Sequence, residues 1–335
     1  MNVLVINGVE VAALLPMSDA IEVMADALQT LARGDAILPL RPVMWLPDRI
    51  GALGMMPAYL GGEPSIMGLK VVSVFPGNRN TAYDSHQGAV MLFETNHGRP
   101  LAIIDASAIT AIRTAAVTGV ATRALAREDA GDLAILGSGV QAQTHLAAML
   151  SVRPIRRIRV WSRTEENARE FAAREGERYN VTIEVAETAQ AAVKGADLIC
   201  TVTSATAPVL KGEWIAAGAH VNAVGSSVPF ARELDTQAVA RSRMYVDRKE
   251  SALNEAGDFL FPKREGAVDE SHIQGELGDL LVGRVAGRQS AADITLFKSL
   301  GLAVEDLAAG YHIYLKALAA NIGTPVDLGG TRALD

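Results

Sequence analysis

Four apolar residues, Leu133-Ala134-Ile135-Leu136, run directly into Gly137-Ser138-Gly139-Val140-Gln141-Ala142, and a helical pattern over Gln141–Leu150 follows. Few folds accommodate that order. A short unbroken apolar run at the head of an αβ series reads as a strand buried on both faces. Gly137 permits a tight turn, Gly139 lets backbone approach a bound group, and Ala142 lets the helix pack close to the strand. The helix then opens with unpaired N–H groups and the positive end of its dipole at the turn, which suits a pyrophosphate. The middle of the chain is thereby committed to a parallel α/β sheet that binds a dinucleotide.

The flanking pattern agrees. Strand-like runs at Ile158–Trp161, Val181–Val185, Leu198–Val202, His220–Val224 and Met244–Val246 alternate with helical stretches such as Glu165–Tyr179. This is the texture of a doubly wound parallel sheet. Upstream of about Thr110 the texture differs. Ser18 or Asp19 is expected to cap a first helix, with Ile21, Met24, Leu28 and Leu31 at helical spacing and Gly34 at its end. The runs Val43–Leu46, Ala52–Met56, Gly68–Phe75, Ala89–Phe93 and Leu101–Ile104 are cut by Pro and Gly, and Asn96-His97-Gly98-Arg99 reads as a hairpin turn. An antiparallel sheet is expected over residues 36–105. Further helices are expected over Ile109–Arg127 and Val304–Ala319, the second lying beyond the last αβ unit. The expected architecture is α/β, with a Rossmann doubly wound domain at 114–304 inserted in a discontinuous first domain made of 1–113 and 305–335.

Composition narrows the function. A length of 335 residues suits about two domains. The formal net charge of −7 argues against a general nucleic-acid surface, while leaving room for a small anionic substrate. The single Cys200 excludes an internal disulfide and a cysteine-based zinc site. No apolar run reaches about 18 residues, so no membrane span is expected. The opening residues lack a basic region and carry Glu10, unlike a secretory signal. A soluble, cytoplasmic protein is the expectation. The six histidines form no clear metal pair, and no nucleophile elbow, P-loop or metalloprotease helix is present.

Two sets of residues carry the candidate chemistry. The second strand of the parallel series ends in Ser162-Arg163-Thr164, where an NAD site usually places an acid for the ribose 2′-hydroxyl; none occurs before Glu165. Arg163 can instead pair with a 2′-phosphate, with Ser162 and Thr164 donating to it. NADPH is therefore the expected cofactor, with NADH possible. By the switch-point rule the strand ends Thr201-Val202-Thr203-Ser204 and Ala223-Val224-Gly225-Ser226-Ser227 also border the crevice. The second set is cationic. Arg41, Lys70 and Arg113 each interrupt an apolar stretch. Buried Arg and Lys are rare unless paired, so the three suggest a pocket for a small carboxylate, with structural ion pairs or snorkelling side chains as the plain alternative. His86, in Asp84-Ser85-His86-Gln87, reads either as a polar site residue or as a structural histidine.

Several blocks carry a resemblance: Met56-Pro57-Ala58-Tyr59, Gly68-Leu69-Lys70, Arg113-Thr114-Ala115-Ala116-Val117, the glycine turn, Val160-Trp161-Ser162-Arg163-Thr164, Asn222-Ala223-Val224-Gly225, Arg232-Glu233-Leu234-Asp235, Gly275-Glu276-Leu277-Gly278 and Phe297-Lys298-Ser299-Leu300-Gly301. In these the chain resembles the ornithine cyclodeaminase/mu-crystallin family over nearly its whole length. The resemblance implies an α+β substrate-binding and dimerisation domain that pairs through its sheet in a homodimer. It implies that Arg41, Lys70 and Arg113 bind a substrate carboxylate, with Met56, His86 and Ser227 beside it. It also implies cofactor contacts from Thr114, Gly137, Gly139, Val140, Gln141, Ser162, Arg163, Thr164, Val202, Thr203, Val224 and Gly225. Two departures bear on activity. Cyclodeaminases and a related archaeal alanine dehydrogenase carry an Asp two residues before the proline matching Pro229, where this chain has Ser227. Cyclodeaminases also carry a Glu where it has Gly54. Mu-crystallin-like ketimine reductases share the serine and a similar Arg-containing turn. The implied activity is NAD(P)H-dependent reduction of cyclic 2-ketimine carboxylates. An ornithine cyclodeaminase or alanine-type dehydrogenase, and a ligand-binding protein holding NADP without turnover, remain the alternatives.

Overall fold

The computed structural model describes residues 2–330. In chain order it forms β1 (Asn2–Ile6), α1 (Gly8–Leu14), α2 (Met17–Arg33), β2 (Ala36–Ile37), β3 (Val43–Trp45), β4 (Ala52–Leu60), β5 (Ile66–Val74), β6 (His86–Glu94), β7 (Pro100–Asp105) and α3 (Ala106–Leu125). There follow β8 (Asp132–Leu136), α4 (Val140–Val152), β9 (Arg157–Trp161), α5 (Glu165–Tyr179), β10 (Ile183–Val185), α6 (Ala189–Val193), β11 (Leu198–Thr201) and β12 (His220–Ala223). Next come α7 (Thr236–Ala240), β13 (Ser242–Val246), α8 (Lys249–Glu255), α9 (Gly257–Arg264), β14 (Ile273–Glu276), α10 (Leu277–Leu281) and β15 (Ile294–Lys298). The chain ends with α11 (Ala303–Ala320) and β16 (Thr324–Asp327). It divides into two compact units, crossing from the first to the second between Arg113 and Thr114 and returning between Gly301 and Leu302. The return falls three residues before the expected 305, because Leu302 is already the extended N-cap of α11.

The first unit is built on a sheet of order β16-β1-β7-β6-β5-β4-β2, with β3 paired to β4. From β4 to β7 it is an antiparallel meander. The β6–β7 hairpin is closed by Glu94, whose carboxylate accepts from the backbone of Asn96, His97 and Arg99. The antiparallel sheet expected over residues 36–105 is present; the sheet also takes in β1, from outside that range, parallel to β7, and β16, which returns antiparallel to β1. Helix α2 buries Ala20, Ile21, Met24, Ala25, Ala27 and Leu28 along one stripe. Gly34, at φ +87°, caps its end. Its start is not capped by Ser18 or Asp19; Pro16 holds the N-cap position with extended backbone, and Asp19 turns to Lys316 on α11. The short α1 was not expected; Asn7 and Glu10 close a capping box around its first turn. Helix α11 packs on β4, β5, β6 and α2.

The second unit is a wholly parallel eight-stranded sheet of order β10-β9-β8-β11-β12-β15-β13-β14. The order reverses at β8, whose neighbours are β9 and β11, so this is the topological switch point of a doubly wound sheet. Leu133–Leu136 are fully buried, as a strand covered on both faces requires. The strand expected from Val181 begins at Ile183. The Val181 amide instead bonds back to Gly176, completing the left-handed cap that Asn180 gives α5.

Candidate active site

In the first unit, ladder register and helix packing converge on four charges. Lys70 sits in β5 opposite Met56 of β4, and both side chains are buried. Helix α11 brings Glu305 and Asp306 in its first turn, where acids complement the helix dipole. Arg113 comes from α3. Its Nε donates to Asp306 Oδ1 at 2.8 Å and its Nη1 to Glu305 Oε2 at 2.9 Å. Lys70 Nζ lies 2.7 Å from Asp306 Oδ2 and donates to Thr110 Oγ1 at 3.4 Å. Two cations and two anions thus balance in a buried interior, where each alone would be prohibitively costly. Burial pulls the Lys70 pKa down from the ordinary 10.5 to about 8; Asp306 opposes the shift and Arg113 adds to it.

The other candidates of this unit lie on the flanking segments and strands. Arg41 is half-buried on the segment before β3. The next carbonyl, that of Pro42, accepts from the Met55 amide at 3.0 Å, so this segment runs beside Met55 and Met56. Gly54 lies opposite Val72 in the β4–β5 ladder. His86 opens β6; its Nδ1 is 3.0 Å from the Ser85 hydroxyl, and its carbonyl accepts from Ser107. Desolvation, and after it the Lys70 charge, hold the His86 pKa below its usual range. Glu305 and Asp306 were not among the candidates read from sequence. The available signal was a pair of adjacent acids inside the apolar pattern Leu302–Leu307.

In the second unit the candidates cluster at the carboxyl ends of β8, β9, β11 and β12. Gly137 has φ +124°, and a Cβ there would fall 2.7 Å from the Val202 carbonyl oxygen. Only glycine lets the β8 and β11 ends approach so closely. Gly139 caps α4 without a side-chain hydrogen bond to the first turn. A Cβ on Gly139 would meet nothing within 4 Å. Space therefore opens where helix N–H groups lack partners, with Val140 exposed beside it. Gln141 Oε1 is buried without a hydrogen-bond partner, and Ala142 is buried against the sheet. Ser138 donates to the Ser162 hydroxyl at 3.1 Å. Arg163 and Thr164 are exposed, whereas Glu165 is paired with Arg169 one turn along α5. Val202 and Val224 are buried, Thr203 is half-buried, and Gly225 and Ser227 are exposed. Thr114 is buried on α3. The open turn, the uncapped helix start and the orphaned acceptor fit a dinucleotide. Among the described residues no group of three or more His, Cys, Asp or Glu could hold a metal, and no helix is long and apolar enough to cross a membrane.

Comparison with known proteins agrees with this geometry. Residues 1–321 match the model of the ornithine cyclodeaminase/mu-crystallin family. A Delta(1)-pyrroline-2-carboxylate reductase of Bacillus cereus is 38% identical over 325 residues, 97% of this chain and 99% of that protein. The ketimine reductase mu-crystallin of Mus musculus is 42% identical over 281 residues, covering 84% and 85% of the two chains. Among solved structures, Thermococcus litoralis Delta(1)-pyrroline-2-carboxylate reductase in complex with NADH and L-proline superposes with a TM-score of 0.94 at 38% identity, covering 96% and 100% of the two chains. An archaeal alanine dehydrogenase dimer with bound NAD superposes at 0.92 with 30% identity, covering 98% and 100%.

Proposed function

This chain belongs to the ornithine cyclodeaminase/mu-crystallin family, and from that premise we propose that it is an NAD(P)H-dependent reductase of cyclic 2-ketimine carboxylates. Its substrates on this reading are Δ1-pyrroline-2-carboxylate, giving L-proline, and Δ1-piperideine-2-carboxylate, giving L-pipecolate. One observation carries the reading: a buried Lys70–Arg113 pair, fixed by Asp306 and Glu305, in a chain with Ser227 and Gly54 where cyclodeaminases have acids. The relatives named as reductases of such imines support it.

The division of labour follows from the residues. Arg113, Lys70 and Arg41 hold the substrate carboxylate by charge-assisted bonds. Asp306 and Glu305 aim Arg113 and Lys70, so little ordering remains to be done when substrate arrives. The carboxylate is carried on the imine carbon itself, next to the ring nitrogen, so one ammonium can serve both. Lys70, still protonated at pH 7 with a pKa of about 8, delivers the proton to nitrogen. His86, held neutral by desolvation and the Lys70 charge, shapes the pocket's polar edge. A reduced nicotinamide dinucleotide, when bound, supplies the hydride. The Gly137–Gln141 turn would hold its pyrophosphate, and Val202, Thr203, Val224 and Gly225 at the β11 and β12 ends would contact the rest of the cofactor. Arg163 receives a 2′-phosphate, because Glu165 is engaged by Arg169; NADPH is the preferred form. The protein works as a homodimer, which the exposed apolar residues of β2 and β3 support.

The deciding experiment follows NADPH absorbance with Δ1-pyrroline-2-carboxylate, beside NADH, and beside ornithine or alanine with NAD. NADPH loss with proline formed is expected, and Arg163→Asp should shift preference toward NADH by at least about tenfold, the effect of roughly 1.4 kcal/mol at the 2′ position. Ammonia and proline from ornithine, with no imine turnover, would sink the reductase reading. Tight NADPH binding without any turnover would make the chain a binding protein.

A further inference from the structure

We propose that Glu233 is a positioning residue for the cofactor, pinning the ends of β11 and β12 with a single buried carboxylate. The inference rests on reading the turn after β8 as a nicotinamide dinucleotide site. Glu233 Oε1 accepts from the Thr203 amide and the Thr203 hydroxyl, each at 2.6 Å. Its Oε2 accepts from the Gly225 amide at 2.7 Å. Thr203 follows β11 and Gly225 follows β12, so one side chain ties together two loops that belong to different strands. The loops also meet through backbone: a Cβ on Gly225 would fall 2.1 Å from the Thr203 carbonyl oxygen and 2.5 Å from Glu233 Oε1.

Glu233 is itself held. Asp258, in the first turn of α9, accepts from the Glu233 amide at 2.8 Å and the Leu234 amide at 3.0 Å. The other Asp258 oxygen lies 3.0 Å from Lys298 Nζ at the end of β15. Lys298 donates in turn to the carbonyls of Ala223 and Ser226. The bonds close a ring. The β12-end loop is gripped at its Gly225 amide by Glu233 and at its Ala223 and Ser226 carbonyls by Lys298, and Asp258 links the two grips. Glu233, Asp258 and Lys298 are all fully buried.

Stability alone does not explain the ring, since apolar groups of similar volume commonly replace buried ion pairs without loss. Its location gives the reason. In a doubly wound sheet the ligand lies outside the carboxyl ends of the strands, where loops are otherwise the mobile part of the fold. A carboxylate that fixes both loops beforehand removes an ordering cost from cofactor binding.

The test is Glu233→Gln, which keeps the shape but presents an amide N–H₂ to a backbone donor. The readouts are the affinities for NADPH and NADH, the affinity for ADP, and the KM for the ketimine at saturating cofactor. ADP carries adenosine and the diphosphate but no nicotinamide, so it would meet the β8 and β9 turns and not the β12-end loop. The expected result is a dissociation constant for the whole cofactor raised at least about tenfold, with ADP affinity and ketimine KM within about twofold of wild type. A general structural loss would weaken ADP equally, and that outcome overturns the inference, as does cofactor affinity within about twofold of wild type. If Glu233→Gln does not fold, Thr203→Ala removes the hydroxyl that donates to Glu233 and accepts from the Ala205 amide, leaving the two amide bonds to Glu233 in place, and unchanged cofactor affinity there overturns the inference. A wild-type protein that binds neither nucleotide overturns the cofactor reading first, and this inference with it.

Discussion

Lys70 is the residue at which burial, charge balance and the proposed chemistry meet. Its folded pKa is about 8 against an ordinary 10.5. Between those values the unfolded chain still binds the proton and the folded chain has released it, so this group's contribution to stability rises with pH across that window. The site meanwhile loses the ammonium that, on the proposed mechanism, grips the carboxylate and donates the proton. The two readouts should therefore separate: kcat/KM falls above about pH 8, while thermal stability does not follow it down through this group. Lys70→Arg, which stays charged, should lose that alkaline limb at a lower absolute rate; an unchanged limb would assign it to another group. Asp306 is the other lever, since it accepts from both cations. Asp306→Asn leaves one carboxylate for two buried charges and should cost about 3–5 kcal/mol in urea unfolding; a loss under about 1 kcal/mol would mean that the quartet relaxes or admits water. The cations were conspicuous in the sequence because each interrupts an apolar run. The acids that hold them were not, because an acid at the start of a helix is the ordinary way to complement a dipole. Glu233, Asp258 and Lys298 were hidden for a different reason: they lie 25 and 40 positions apart in sequence, and no local pattern announces that a loop residue, a helix-start residue and a strand-end residue close on one another.

At the scale of elements, the turn between β8 and α4 separates two roles that the pattern G-x-G merges. Gly137 is required by the fold, through its positive φ and the Val202 carbonyl against it. Gly139 is not crowded by any neighbour within 4 Å. Gly137→Ala should therefore destabilise the protein by roughly 1–3 kcal/mol through backbone strain, seen as a lower melting temperature without cofactor. Gly139→Ala should leave that temperature nearly unchanged and weaken NADPH binding about tenfold or more, some 1.4 kcal/mol. The reverse pattern would mean that the cofactor does not approach this backbone. Elements with strong periodicity and clear ends were legible: Glu165–Tyr179 forms the helix expected, ending where Asn180 takes the left-handed conformation. Elements set by tertiary pairing were not. Strands β14 and β16 are four residues each and carry polar or proline positions. They are extended because a neighbouring strand offers a ladder, which local propensity does not record. The parallel placement of β1 against β7 was invisible for the same reason.

For the molecule as a whole, the first unit carries apolar side chains that its own core does not cover. Ile37, Leu40, Val43, Met44, Trp45 and Ile50 are all exposed, although β3 is hydrogen-bonded to β4. Six large apolar residues within one short stretch form the kind of surface that marks a protein interface, and the similar archaeal alanine dehydrogenase structure is described as a dimer. A second copy covering this stretch is the expectation, so sedimentation equilibrium at micromolar concentration should give twice the chain mass. The pair Met44→Glu and Trp45→Glu places charges where that contact would desolvate them, and should yield a monomer. Arg41 stands three and four positions before the two substituted residues, on the segment that runs beside Met55 and Met56. If the dimer steadies that segment, the monomer should show a raised KM for the ketimine, because one of the three proposed carboxylate grips loosens. Its affinity for NADPH should be unchanged, because the Gly137–Gln141 turn belongs to the other unit. A wild-type monomer would remove the interface altogether. A monomeric variant with unaltered KM would keep the interface but show that Arg41 holds its place without it.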